Sequence, residues 1–362
     1  MKYITSKRYL YFTFHIIVYP DIETMKYIRL EQPGRLSLEE KEPPLSSVGN
    51  ILLKVKAVGV CGTDLHAFQG NQPFFDYPRI LGHELATEVA DIGHSTAPIR
   101  VGDRVVIIPY INCEQCQACS LGQTNCCEHL KVLGVHIDGG MQEIISVPER
   151  LLIPANDLSL EEIAVVEPLC IGAHALRRSH VTKDQSIVVI GCGPIGIGLI
   201  QLAKYIGARV IAIDTNESRL RLAKENFGAD VVITAGQSSL EKVREALGGN
   251  LSDIVFDATG NKIVIESLVD YVRHGGKIVL VGLTNGPLTF HNPTIHKKEI
   301  SLLCSRNATR EDFEFVMNVL RQKKFNVESY ITRQESFQAI VDDFKSWSAP
   351  VSNDIKILTL WD

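Results

Sequence analysis

Residues Ser186–Asp214 read SIVVIGCGPIGIGLIQLAKYIGARVIAID, and this stretch decides the fold. SIVVI is apolar without alternation, the mark of a strand buried on both faces. Gly191, Gly193 and Gly196 then form G-x-G-x-x-G, with Pro194 and Ile195 inside the motif. An apolar helix follows, ends near Gly207, and leads into a second buried strand that stops at Asp214. Strand, glycine turn, helix and strand make a βαβ unit, and parallel strands joined this way need helices on both faces. The glycines give a tight turn and close backbone approach to a pyrophosphate, whose charge the helix N-terminus meets. Asp214 stands near the spacing expected for a group gripping the ribose 2′-hydroxyl, which favours NAD over NADP. Arg219, five residues on, is of the type that accepts a 2′-phosphate, so NADP stays the weaker alternative.

Downstream, SRLRLAKENFGADVVI, SDIVFDATG and GGKIVLVG continue the alternation to about Ile300. DFEFVMNVLRQKK and SFQAIVDDFKSW then read as two amphipathic helices. Upstream the texture differs. ILLKVKAVGV (Ile51–Val60), ELATEVADIG and DRVVIIPY are short strands punctuated by Gly and Pro, as in an all-β, barrel-like domain. The expected fold is therefore α/β plus β, with a doubly wound parallel-sheet domain behind a β-barrel.

Within the β-rich half, Cys113, Cys116, Cys119 and Cys127 are spaced C-x2-C-x2-C-x7-C. Four thiolates on one short segment fill every position of a tetrahedral zinc, so this site is structural. Cys126 is an extra neighbour, and Cys170, Cys192 and Cys304 read as packing residues. A second site is expected elsewhere. Cys61 follows the Ile51–Val60 strand in the turn Cys61-Gly62-Thr63-Asp64, 22 positions before His83. A thiolate and an imidazole suit a catalytic zinc with one position left open. Glu84 and Glu167 are both candidates to complete its protein ligands.

The 362 residues suggest about two domains. A net charge of -5 without a long basic run gives no reason to expect a nucleic-acid partner. Nine cysteines, four of them clustered, suit a reducing cytoplasm better than a disulfide framework. The apolar run YLYFTFHIIVYP (Tyr9–Pro20) is too short to span a bilayer and no small-x-small cleavage site follows, so no membrane partner is expected. Met25-Lys26-Tyr27-Ile28 repeats Met1-Lys2-Tyr3-Ile4, and residues 1–24 are read as an extension dispensable for function.

The VCGTDLH turn, the GHE triplet, the four-cysteine lobe, EPLCIGAHA and GCGPIG occur in the order found in zinc-dependent medium-chain dehydrogenases/reductases. From about Met25 to Ile357 the chain resembles that family, in its sorbitol and sugar-acid (hexonate) dehydrogenase branch. The resemblance implies a GroES-like catalytic domain over 25–176, a Rossmann domain over 177–300 and a return to the catalytic domain over 301–362. It also implies two zinc ions per chain, NAD as cofactor, a polyol or sugar-acid substrate, and a homodimer or homotetramer. Cys61 and His83 then bind the catalytic zinc with Glu84 or Glu167 as third ligand. Thr63 matches the family's relay hydroxyl and His66 its outer proton acceptor, while Asp64 would orient His83. Alcohol dehydrogenases of the same family carry cysteine where this chain has Glu167, which points away from simple alcohols. GNQPFFDYPRILGHE and CSRNATREDF resemble loops of hexonate dehydrogenases, and Arg306 in the latter is placed to pair with a substrate carboxylate or hydroxyls. A threonine-type or simple alcohol dehydrogenase is the alternative, and a non-catalytic nucleotide-binding protein a more distant one.

Overall fold

The computed structural model describes residues 23–73, 75–95, 97–348 and 353–361, so most of the 24-residue extension lies outside the described residues. The opening stretch folds as its apolar pattern requires. Ser186–Ile190 is a central strand of a six-stranded parallel sheet. The order across that sheet is Val231–Thr234, Arg209–Asp214, Ser186–Ile190, Ser252–Asp257, Val272–Leu280 and Ser301–Cys304. Every pairing in it is parallel. The alternation read as ending near Ile300 thus continues for one more strand, whose four residues SLLC are too short to show a period.

Successive residues on these strands point to opposite faces. Ile187, Val189, Val210 and Phe256 join a large core that also holds Leu53, Val55 and Val58 of the β-rich half. Val188, Ile190, Ile211 and Val255 form a separate core on the other face. One face of the parallel sheet is therefore continuous with the interior of the β-rich half.

That half is built on a seven-stranded sheet. Leu152–Pro154, Arg104–Ile107, Glu84–Asp91, Asn50–Val60, Lys356–Leu360 and Ile331–Ser336 run in that order, and Ile144–Pro148 also pairs with Asn50–Val60. A second sheet joins Arg35–Lys41, Met25–Gln32 and Arg79–Ile80. The C-terminal strand Lys356–Leu360 is antiparallel to Asn50–Val60, so the last residues of the chain return to the first sheet.

Two differences from the sequence reading bear on the site. Cys61–Asp64, read as a turn, is the start of a helix over Gly62–Phe68 that carries Thr63, Asp64 and His66. Asp64 at its third position accepts the Cys61 N–H at 3.0 Å, a reciprocal cap that extends the turn into a helix. Glu167 is the second residue of a 14-residue helix, Val166–Ser179, packed against the glycine-turn helix Pro194–Ile206. Glycines make this contact close: a β-carbon on Gly172 would sit 3.1 Å from the Leu199 nitrogen, and one on Gly198 2.8 Å from a Leu169 methyl. The helix bearing Glu167 is thereby pressed directly onto the helix that opens at the cofactor turn.

Candidate functional site

Cys61 ends the Asn50–Val60 strand, and His83 and Glu84 lead into the strand paired beside it. Sheet pairing alone brings them together. The Cys61 sulfur, a His83 ring nitrogen and a Glu84 carboxylate oxygen all lie within 4.8 Å of one another. Gly59 faces Glu84 directly across the sheet. A β-carbon at Gly59 would overlap the Glu84 carboxylate and stand 3.0 Å from the Glu84 β-carbon. A glycine there is what lets the acid lie flat against the strand.

Two buried residues complete the surroundings, and neither was singled out in the sequence. Lys356 Nζ lies 2.6 and 2.5 Å from the two Glu84 oxygens, and donates to the Val60 carbonyl at 3.1 Å. Both side chains are 1% exposed. Burial by itself pulls the Lys356 ammonium down, but Glu84 and Cys61 beside it hold it above its ordinary range, so it is charged. Tyr110 donates its hydroxyl to Glu167. Burial, with Glu84 nearby, pushes the Glu167 carboxyl up to about 7 against the opposing pull of His83. The only sequence signal for Lys356 is a lone lysine at the start of the apolar strand KILTL.

The donor set fits a divalent cation. Burial pulls the His83 ring down, yet Cys61, Asp64 and Glu167 around it push it well up, which marks a concentrated negative field. His83 Nδ1 is buried without a hydrogen-bond partner. A soft sulfur, an imidazole and a carboxylate at this separation are ligands of the type zinc takes. Asp64 is fully buried and accepts from Cys61 N–H and, at 3.4 Å, from Gly82 N–H. Its carboxylate lies 3.9 Å from His83 Nδ1, close enough for charge attraction but too far for a hydrogen bond. Thr63 is half-buried beside Cys61, and His66 is exposed one helical step further on.

The Cys113, Cys116, Cys119 and Cys127 sulfurs also lie within 4.8 Å of one another, while Cys126 is exposed and outside the set. Backbone N–H groups of Cys113 and His129 point at the Cys127 sulfur at 3.2 and 3.3 Å. The backbone N–H groups of Cys119 and Glu128 bring the Cys116 thiol down to about 6, whereas burial pushes Cys127 up to about 11. Four such sulfurs can be deprotonated together only if a cation neutralises them. The short strands Tyr110–Ile111 and Lys131–Val132 pair to close the base of this lobe.

At the cofactor turn, Gly191 has φ of +99°, and a β-carbon on it would press against Ala258 and Thr259. A β-carbon on Gly196 would overlap the Gly191 carbonyl. Gly193 caps the helix with open space around it, Pro194 occupies its first turn and Ile195 follows. Asp214 accepts from the N–H groups of Cys192 at 2.6 Å and Asn216 at 2.8 Å, which fixes its carboxylate beside the turn. Arg219 lies in the next helix, Glu217–Glu225, its N–H capped by Asn216. Arg306 is exposed on the connection between the last parallel strand and the helix Arg310–Arg321.

Residues 194–322 match the family model of zinc-binding dehydrogenases, and residues 47–157 that of the alcohol dehydrogenase GroES-like domain. The L-galactonate-5-dehydrogenase of Escherichia coli (strain K12) is 39% identical over 324 residues, covering 90% of this chain and 95% of that protein. The L-threonine 3-dehydrogenase of Symbiobacterium thermophilum is 36% identical, covering 74% and 77%. Among solved structures, an E. coli CFT073 protein described as a short chain alcohol dehydrogenase, in complex with NADH, superposes with a TM-score of 0.87. It is 32% identical and covers 93% of this chain and 99% of its own. Both domain models fall in the order the motifs run, and a relative 39% identical spans nine tenths of the chain. The chain accordingly belongs to the zinc-dependent medium-chain dehydrogenase/reductase family, and is an NAD(P)-dependent oxidoreductase of it.

Proposed function

We propose that this protein oxidises a secondary alcohol of a sugar acid or polyol, with NAD as hydride acceptor and two zinc ions per chain. The observation that carries the reading is the convergence of the Cys61, His83 and Glu84 donor atoms within 4.8 Å of one another. In this reading those three side chains hold the catalytic zinc. Glu167, held by Tyr110 and close enough to act on the charge of His83, would be the second carboxylate at that site. Cys113, Cys116, Cys119 and Cys127 hold the structural ion.

Zinc held by these residues would supply a Lewis acid that eases loss of the alcohol proton, and bound NAD would supply the hydride acceptor. The residues of the chain handle the rest. Thr63 accepts the proton of the alcohol while passing its own towards His66, which releases it to solvent. The products are a ketone, NADH and one proton. Asp64 fixes the Cys61 end of the helix, so the sulfur and the Thr63 hydroxyl keep a constant relation. Arg306 pairs with the substrate carboxylate. Asp214 grips the ribose hydroxyls and disfavours a 2′-phosphate, while Arg219, whose charge reaches Cys192 in the same turn, keeps NADP as the weaker alternative.

Similarity to the L-galactonate enzyme and the glutamate at position 167 support hexonates over simple alcohols. Similarity to the threonine enzyme favours a second reading, oxidation of a β-hydroxy amino acid. A panel of hexonates, polyols, threonine and ethanol, followed by NADH fluorescence, separates them. Turnover of threonine or ethanol without any hexonate or polyol overturns the first reading. A homodimer or homotetramer working in the cytoplasm goes with this function. Among the described residues no helix is long and apolar enough to cross a membrane.

A further inference from the structure

Asn125 lies in the short turn Thr124–Cys126, inside the four-cysteine lobe and two residues before Cys127. It is buried, and its amide serves groups outside the lobe. Nδ2 stands 3.2 Å from Nε2 of His174 and 3.0 Å from the carbonyl oxygen of Arg306. His174 sits on the same helix as Glu167, two turns further on, with Nδ1 2.9 Å from an Asp312 oxygen. Asp312 is buried too. It accepts from Thr309 N–H at 2.7 Å and from Arg177 Nε at 2.7 Å.

Arg177 Nη2 also stands 3.2 Å from His174 Nδ1, but its hydrogens are taken by Thr309 and Asp312 as acceptors. The Asp312 carboxylate only accepts, so His174 Nδ1 carries a hydrogen and Nε2 is left as an acceptor. Both hydrogens of the Asn125 amide are then used, one on His174 and one on the Arg306 carbonyl. The Arg306 segment needs such a tie. Asn307 adopts φ of +53°, a left-handed turn that asparagine tolerates but does not enforce. On the other side, Ser305 N–H is held by the Leu280 carbonyl at 2.9 Å and Arg178 holds the Cys304 carbonyl at 2.7 Å. Asn125 supplies the bond that fixes the Arg306 peptide itself. Among the described residues the Arg306 side chain has no carboxylate ion pair, and its charge lies close enough to act on His136.

We infer that Asn125 is a positioning residue for substrate binding: through the Arg306 carbonyl, the four-cysteine lobe sets where Arg306 stands relative to the catalytic centre. His174 and Asp312 hold the Asn125 amide in the orientation this requires. The inference rests on the reading of Arg306 as a substrate contact.

A double-mutant cycle on the zinc-loaded enzyme tests it, using whichever hexonate is turned over. Asn125→Ala is expected to raise KM for the hexonate about tenfold, leaving KM for NAD, kcat and zinc content within about twofold. Asn125→Leu, of similar volume but without the amide, guards against collapse of the lobe and is expected to match it. In an Arg306→Ala background, either Asn125 substitution is expected to add nothing, because Asn125 acts only through Arg306. Additive effects, or a change in zinc content and melting temperature in both Asn125 variants without a change in KM, overturn the inference and leave Asn125 a purely structural residue. If Arg306→Ala raises KM and the Asn125 variants do not, the inference alone fails. If Arg306→Ala leaves KM unchanged, the assignment of Arg306 fails and the inference with it.

Discussion

The two cysteine-bearing centres differ in how the chain builds them. The four sulfurs of the lobe come from one 15-residue stretch, Cys113 to Cys127, closed at its base by a two-stranded ribbon. The Cys61 centre draws on two paired strands, on Glu167 in a helix a hundred residues later, and on Lys356 in the C-terminal strand. A local centre needs only a short loop to fold around an ion. A dispersed centre exists only when the whole β-rich half is assembled, and its buried charges need partners that the tertiary fold must deliver. Removing a donor from the lobe should therefore cost stability first, and from the dispersed centre chemistry first.

The largest expected effect breaks the dispersed centre at its soft ligand. Cys61→Ala should lower kcat by at least about 10³-fold, lose one of two zinc ions by metal analysis, and still bind NADH in a fluorescence titration. Retained turnover would place the catalytic ion elsewhere. Cys116→Ala is the matching cut in the lobe. It should lose the other ion and lower the melting temperature by about 10 °C, with kcat per folded molecule kept within a few-fold. A kcat loss as deep as that of Cys61→Ala, in protein that remains folded, would erase the contrast between the centres.

Lys356→Met sharpens the comparison by leaving Glu84, in the metal-free protein, buried without its countercharge. Removing one partner of a buried pair costs about 3–5 kcal/mol, so chemical denaturation should show a loss of that order. Adding Glu84→Gln should recover part of it; an unchanged midpoint in Lys356→Met would mean that the pair does not hold the centre. The smallest expected effect is at Gly59. Gly59→Ala forces the Glu84 carboxylate to move, a crowding cost of about 1–3 kcal/mol. Zinc affinity at the Cys61 centre should fall while the lobe keeps its ion, which chelator competition can resolve. Equal loss from both centres would count against the close approach of Gly59 and Glu84.

Much of the fold was legible because its signals are local. The unbroken apolar run Ser186–Ile190, the glycine turn and the strand ending at Asp214 gave the parallel sheet, and the Val-, Ile- and Leu-rich segments upstream gave the β-rich half. The misses are short or capped. Ser301–Cys304 is too brief to declare itself as a strand, and the turn at Cys61 became a helix through a reciprocal bond between Cys61 and Asp64. The strands Ile331–Ser336 and Lys356–Leu360 were not foreseen as strands, and their pairing with each other and with Asn50–Val60 has no spacing signature.

By itself the sequence determined which side chains form the lobe, where the dinucleotide turn lies, and that Cys61, His83, Glu84 and Glu167 are the candidates for a second centre. Donor spacing and strand period are properties of neighbouring residues, so they survive without a fold. Only the tertiary structure decided that Glu84 shares the Cys61 and His83 cluster while Glu167 turns to Tyr110. The same holds for Lys356 beneath Glu84 and for the chain from Asn125 through His174 to Asp312. Glu84 and Lys356 are 272 positions apart. Contacts at that separation are selected by burial and hydrogen-bond satisfaction across packed elements, which leave no period along the chain to read.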